Sequence, residues 1–109
     1  MIEFQYFEGC PNADRTLENL VEVIKELNLS QSEIQVQEIP DLEAARTRNF
    51  QGSPTILMNG MDIYTDLPPV GYNYSCRIYM FGKKQTGVIP KGFIKKKILT
   101  YKNENDGKI

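Results

Sequence analysis

Gly52-Ser53-Pro54-Thr55-Ile56-Leu57-Met58-Asn59-Gly60-Met61-Asp62-Ile63-Tyr64 is the stretch on which the fold turns. Asn59-Gly60 between two apolar runs is a type I′ hairpin signal, because both central positions of that turn need positive φ. Residues 55–58 and 61–64 therefore read as paired antiparallel strands. Pro54 opens the first of them, and a proline that cannot donate to a ladder belongs at a strand start, an edge or a special backbone. The Ser53-Pro54 bond is either cis or a plain trans start to the strand, since X–Pro is where cis bonds occur.

Working outward, residues 2–7 form a short apolar and aromatic run, with Ile2, Phe4 and Tyr6 on one face and Phe7 extending it, and read as a strand buried on both faces. After Gly9, the residues Leu17, Leu20, Val21, Ile24 and Leu27 form one helical stripe that ends at Asn28. Ile34 and Val36 alternate with Gln35 and Gln37 until Pro40 stops the run, which predicts a second strand. Asp41 caps a short helix that reaches Phe50. Pro90 suits the first position of a last helix, on which Ile94, Ile98 and Tyr101 share a face beside Phe93. The order is β-α-β-α-β-β-α. The strand–helix–strand opening implies a parallel pair with a right-handed crossover, so the sheet is mixed and four-stranded.

Residues 65–89 are the exception. A structureless loop of about 25 residues is rare in a compact domain. The segment should hold an extra strand over residues 76–81, from Cys76 onward, or act as a lid over a site. Residues 1–101 form one domain, and residues 102–109 read as a polar, frayed tail.

Composition removes many functions. With 109 residues, 40% apolar and 25% charged, the chain is an ordinary globular domain. It contains no histidine, which excludes His-based triads and most zinc chemistry. It has no apolar run long enough for a membrane span and no signal-peptide pattern at its start, so no membrane role is expected. Two cysteines are too few for a stapled secreted scaffold and suit a reducing cytosol. No phosphate loop or carboxylate pair is present, and Lys95-Lys96-Lys97 spreads around its helix rather than tracking phosphates, so no nucleic-acid role is expected. The net charge of −1 conceals a division: residues 1–66 are strongly acidic and residues 67–109 strongly basic. That polarity suits a homodimer or a charged partner, or is simply a solvated acidic face and a solvated basic helix.

The chemistry lies with the cysteines. Pro11 at the first helical position makes Cys10 the expected N-cap, its sulfur facing unpaired N–H groups that favour a thiolate. The same position also suits a small buried hydrophobe. Cys76 precedes Arg77, whose guanidinium is placed to stabilise a thiolate or a bound anion; otherwise Cys76 is buried on the extra strand. Asp14 is either a proton shuttle beside Cys10 or an ordinary first-turn carboxylate.

Glu8-Gly9-Cys10-Pro11-Asn12-Ala13 resembles the active-site turn of the thioredoxin-like superfamily, and Gly52-Ser53-Pro54-Thr55 resembles that fold's cis-proline loop. The resemblance covers residues 1–64 and 90–101. It implies that Cys10 is a nucleophile, Pro54 the cis-proline against it, and Ser53 the backbone position that faces a substrate. Together with Ser75-Cys76-Arg77-Ile78-Tyr79, these segments look like a group of small prokaryotic thioredoxin-like proteins. Some members of that group carry selenocysteine and some bear labels linked to organomercury chemistry. Ala13 departs from the family pattern, because it stands where a second cysteine would complete a local dithiol. Three routes stay open: Cys76 as the resolving thiol, an external thiol in that role, or a fold kept without redox function. The implied activity is a thiol-dependent oxidoreductase acting on a protein or small-molecule thiol or disulfide, with no cofactor. A thiolate site for a soft metal such as mercury or copper, or a non-catalytic interaction module, are the alternatives.

Overall fold

The computed structural model describes residues 1–106, with side chains described as far as Asn103. The chain runs β1 (Ile2–Tyr6), α1 (Ala13–Glu26), β2 (Ile34–Glu38), α2 (Leu42–Arg48), β3 (Thr55–Met58), β4 (Met61–Asp62), β5 (Tyr79–Phe81), β6 (Lys84–Thr86) and α3 (Lys91–Asp106). The main sheet has the order β2-β1-β3-β4. β1 lies parallel to β2 with Ile2 opposite Ile34, and antiparallel to β3 with Phe4 opposite Ile56. The fold is therefore α/β with a mixed four-stranded sheet, as the sequence pattern predicts.

Strand alternation puts Ile2, Phe4, Ile56 and Met58 on one face of the sheet, where they meet Leu20, Val23 and Ile24 of α1 and Ile94 and Ile98 of α3. Val23, rather than Val21, lies at the centre of the α1 stripe. A smaller cluster of Ile39, Ala45 and Phe50, with Phe7 against it, holds α2 in place. The Asp41 carboxylate accepts from the Ala44 N–H at 2.8 Å and caps α2 as expected. Asn59 and Gly60 take φ of 53° and 83° at the hairpin turn, both positive as a type I′ turn requires.

Four boundaries differ from the sequence reading. The second hairpin strand, expected over residues 61–64, is only Met61–Asp62, because the chain turns at Ile63. Pro90 precedes α3 and its carbonyl accepts the first helical bond from Ile94 at 3.1 Å, so it caps the helix rather than opening it. The helix then continues to Asp106, into the segment expected to be a tail, because the first helix breaker after Gly92 is Gly107. Residues 107–109 of that expected tail lie outside the described residues. The extra strand is shorter than residues 76–81: β5 starts at Tyr79 and pairs with β6 as a separate hairpin around Gly82, whose φ is 66°. Cys76 instead makes an isolated parallel bridge to Ser53.

The division of charge closes on itself. Glu22 and Glu26 of α1 pair with Lys91 of α3, and Lys95 also reaches Glu26. Lys97 pairs with Asp66 at 2.6 Å, and the Tyr101 hydroxyl donates to the same carboxylate. Hydrogen bonds from Lys91 and Lys95 hold Glu26 below the usual carboxylate range, and those from Lys97 and Tyr101 do the same for Asp66. These pairs are exposed, so each contributes little to stability. They nevertheless spend much of the opposite charge within one molecule. Among the described residues, no helix is long and apolar enough to cross a membrane.

Candidate functional site

Three segments meet at the C-terminal end of β1. The first is the turn that leaves the strand. Gly9 takes φ of 88°, which glycine accepts without strain, and the Cys10 N–H donates to the Phe7 carbonyl at 3.3 Å. The Cys10 carbonyl accepts from the Ala13 N–H at 3.3 Å, closing one tight turn before α1 begins. Asn12, not Cys10, thus stands at the N-cap, and its side chain makes no capping bond. Pro11 fixes the turn in place of the first helical position. The Cys10 sulfur donates to the Ser53 carbonyl at 3.6 Å.

The second segment is Gly52-Ser53-Pro54-Thr55. The Ser53-Pro54 bond is cis, and all four residues are buried. The third segment is the strap of residues 72–79, which lies across this loop. Ser53 donates its N–H to the Ser75 carbonyl, and its own carbonyl accepts from the Arg77 N–H, both at 2.9 Å. Its hydroxyl accepts from the Phe7 N–H at 3.3 Å. The backbone that the family resemblance offers to a substrate is therefore already paired with the chain's own strap, and Ser53 is fully buried.

That strap brings Cys76 to the residue that holds Cys10. Cys76 is exposed and both cysteines are free; the Cys76 backbone bridges to Ser53, whose carbonyl accepts from the Cys10 thiol. Loss of solvation is the largest influence raising the Cys76 pKa, followed by the nearby Cys10 side chain. A thiol raised in this way reacts through a smaller thiolate fraction at neutral pH. Alkylation of Cys76 is expected to titrate at higher pH than a free thiol in a reference peptide, with the gap narrowing in Cys10→Ala. A Cys76 profile that overlays the peptide's would show that the two sulfurs are apart in solution.

Arg77 takes a different role from the expected one. Rather than facing a thiolate or an anion, it turns inward beneath the strap. Its Nη1 donates to Asp62 at 2.7 Å and to the Thr55 hydroxyl at 3.0 Å, and its guanidinium lies 4.7 Å from the Tyr79 ring centroid. Asp62 is 2% exposed, so this is a buried ion pair. The Tyr79 hydroxyl donates to the Pro54 carbonyl, and burial pushes its pKa well above the usual phenol value. At the other end of the strap, Tyr74 packs against Phe7 and Phe50 and donates to the Ile39 carbonyl at 3.0 Å. Asn73 donates its N–H to the Phe50 carbonyl at 2.7 Å. Cys76 is thus clamped from both sides. Asp14 remains an exposed first-turn residue of α1.

Gly52 is what lets the strap lie so close. Its φ is 112°, and an added Cβ would sit 3.0 Å from the Arg77 Cβ and 3.1 Å from the Ser75 carbonyl oxygen. Gly52→Ala is expected to cost about 1–3 kcal/mol through backbone strain and to lift the strap. The check is the alkylation rate of Cys10, which should rise as its cover leaves; an unchanged rate would show that the strap gives locally and stays closed.

Sequence reasoning missed Asp62, Thr55, Tyr79, Tyr74 and Gly52 as parts of the site. One signal was available: an aspartate between Met61 and Ile63 in a buried hairpin needs a cationic partner. Among the described residues, no group of three or more His, Cys, Asp and Glu side chains could hold a metal ion. No protein-family model, curated protein or solved structure matches the chain.

Proposed function

We propose that this chain is a thiol–disulfide oxidoreductase of thioredoxin-like build whose dithiol is Cys10 and Cys76. One observation carries the reading: the only two cysteines of the chain, far apart in sequence, converge on Ser53, whose carbonyl accepts from the Cys10 thiol and whose backbone bridges to Cys76. The strand order, the cis Ser53-Pro54 bond beside Cys10 and the helix that follows the cysteine turn support the build. Ala13 denies Cys10 a neighbour one turn along its helix, and Cys76 takes that place from the strap.

In the working half-reaction, the reduced pair gives two electrons to an external disulfide. The partner leaves as two thiols and the protein becomes the Cys10–Cys76 disulfide. The partner is a protein or small-molecule disulfide, and a reducing cytosol is the compartment that keeps the pair ready. The test is consumption of a small aromatic disulfide with an external dithiol as reductant. Wild type is expected to turn over through an internal disulfide two mass units lighter than the reduced chain. Cys10→Ser and Cys76→Ser should each lose on the order of 10²-fold, since resolution is no longer intramolecular. Equal activity in wild type and both variants would end the proposal.

The paired thiols favour a second reading. Two thiolates without a third ligand suit a soft cation that accepts two-coordinate binding, such as Cu⁺ or Hg²⁺. Stoichiometric binding that needs both cysteines, in a protein without disulfide turnover, would select it.

A further inference from the structure

We infer that Cys76 is the thiol that meets the external disulfide and that Cys10 is the one that resolves it, the reverse of the order implied by the position of Cys10 before α1. The inference rests on the dithiol reading above and assigns roles within it. Cys10 is 7% exposed, whereas Cys76 is exposed. The Cys10 sulfur is held by the Ser53 carbonyl, on the residue to which Cys76 bridges. Thiol–disulfide exchange needs attacking, central and leaving sulfurs close to one line. Buried Cys10 offers an external disulfide little surface along which to form that line, whereas exposed Cys76 does.

At Cys76 the same geometry works in favour of exchange. Cys76 is exposed to solvent and lies on the strap beside Ser53, the residue that holds Cys10. The Cys76 thiolate attacks the external disulfide, forms a mixed disulfide and releases one thiolate. Cys10, as thiolate, then attacks the Cys76 sulfur from the buried side and expels the second thiolate outward. Two electrons pass from the dithiol to the substrate, two protons accompany them, and the protein ends as the internal disulfide.

The substrate class follows from the strap. Ser53 has neither an N–H nor a carbonyl left for an extended peptide, since Ser75 and Arg77 take both. A disulfide reaches Cys76 directly from solvent, since Cys76 is exposed. It is a small molecule, or a disulfide carried on a projecting loop, and it is not held by strand addition.

The experiment mixes reduced wild type, Cys10→Ser and Cys76→Ser with glutathione disulfide, quenches with acid at intervals, and maps the adducts by peptide mass. Cys10→Ser is expected to accumulate a one-to-one adduct on Cys76, and Cys76→Ser to react at least about tenfold more slowly. Early quenching of wild type should find any mixed disulfide on Cys76, which tests the order without relying on a variant. If Cys76→Ser captures the probe as fast as Cys10→Ser, or wild type carries the adduct on Cys10, the assignment is overturned while the dithiol function stands. If wild type forms neither an adduct nor an internal disulfide, the proposed function itself falls, and the assignment with it.

Discussion

Arg77→Ala is expected to lower the unfolding free energy by about 3–5 kcal/mol, the usual cost of removing one partner from a buried ion pair. Asp62 is 2% exposed and the Arg77 side chain 11% exposed, so water cannot replace the guanidinium at the carboxylate. Thr55 loses a donor to its hydroxyl, and Tyr79 loses the cation over its ring. For a domain whose total stability is about 5–15 kcal/mol, the loss is a large fraction of the whole. Urea unfolding of the reduced proteins measures it. A double variant, Arg77→Met with Asp62→Leu, should recover most of the loss, since an apolar pair of similar volume leaves no charge stranded. A single-variant loss below about 1 kcal/mol would show that the pair behaves as an exposed one.

Oxidation should act in the opposite direction. Closing Cys10 to Cys76 makes a ring of about 67 residues, and chain entropy alone gives about 4 kcal/mol of stabilisation for a ring of that size. The ring contains α1, β2, α2, β3 and β4, while β1 and α3 lie outside it. Both cysteines lie against Ser53, one through its sulfur and one through its backbone, so the bond joins segments that are already neighbours. The melting temperature with and without a strong reductant is the measurement. A rise on the order of 15–25 °C is expected on oxidation, given the usual size dependence. An oxidised form that melts at or below the reduced one would mean that the bond strains the strap.

The parts that were legible in the sequence are those whose causes are local. Asn59-Gly60 needs only its own backbone preference to make the hairpin, Asp41 needs only the next turn to cap α2, and Pro54 starts its strand because a proline has no N–H. The parts that were not legible depend on residues far apart in the chain. Nothing near Cys76 says that Ser75 and Arg77 will bond to Ser53, so the approach of Cys76 to the Cys10 turn stayed one option among three. Arg77 looked like a free cation because its partner, Asp62, lies on a different hairpin. Cys10 was expected to cap α1 because Cys-Pro suits that position, but the turn from Cys10 to Ala13 starts the helix two residues later and frees the sulfur for Ser53.

The chain contains no tryptophan and six tyrosines, so its ultraviolet emission and near-ultraviolet dichroism come from tyrosine. Tyr72, Tyr74 and Tyr79 belong to the strap, and Tyr64 lies edge-on to Tyr79 with a centroid distance of 4.8 Å. Half of the tyrosines therefore lie within four residues of Cys76. A change at the strap, whether by oxidation of the thiols or by a bound soft cation, should be readable in the unmodified protein from its tyrosine signal.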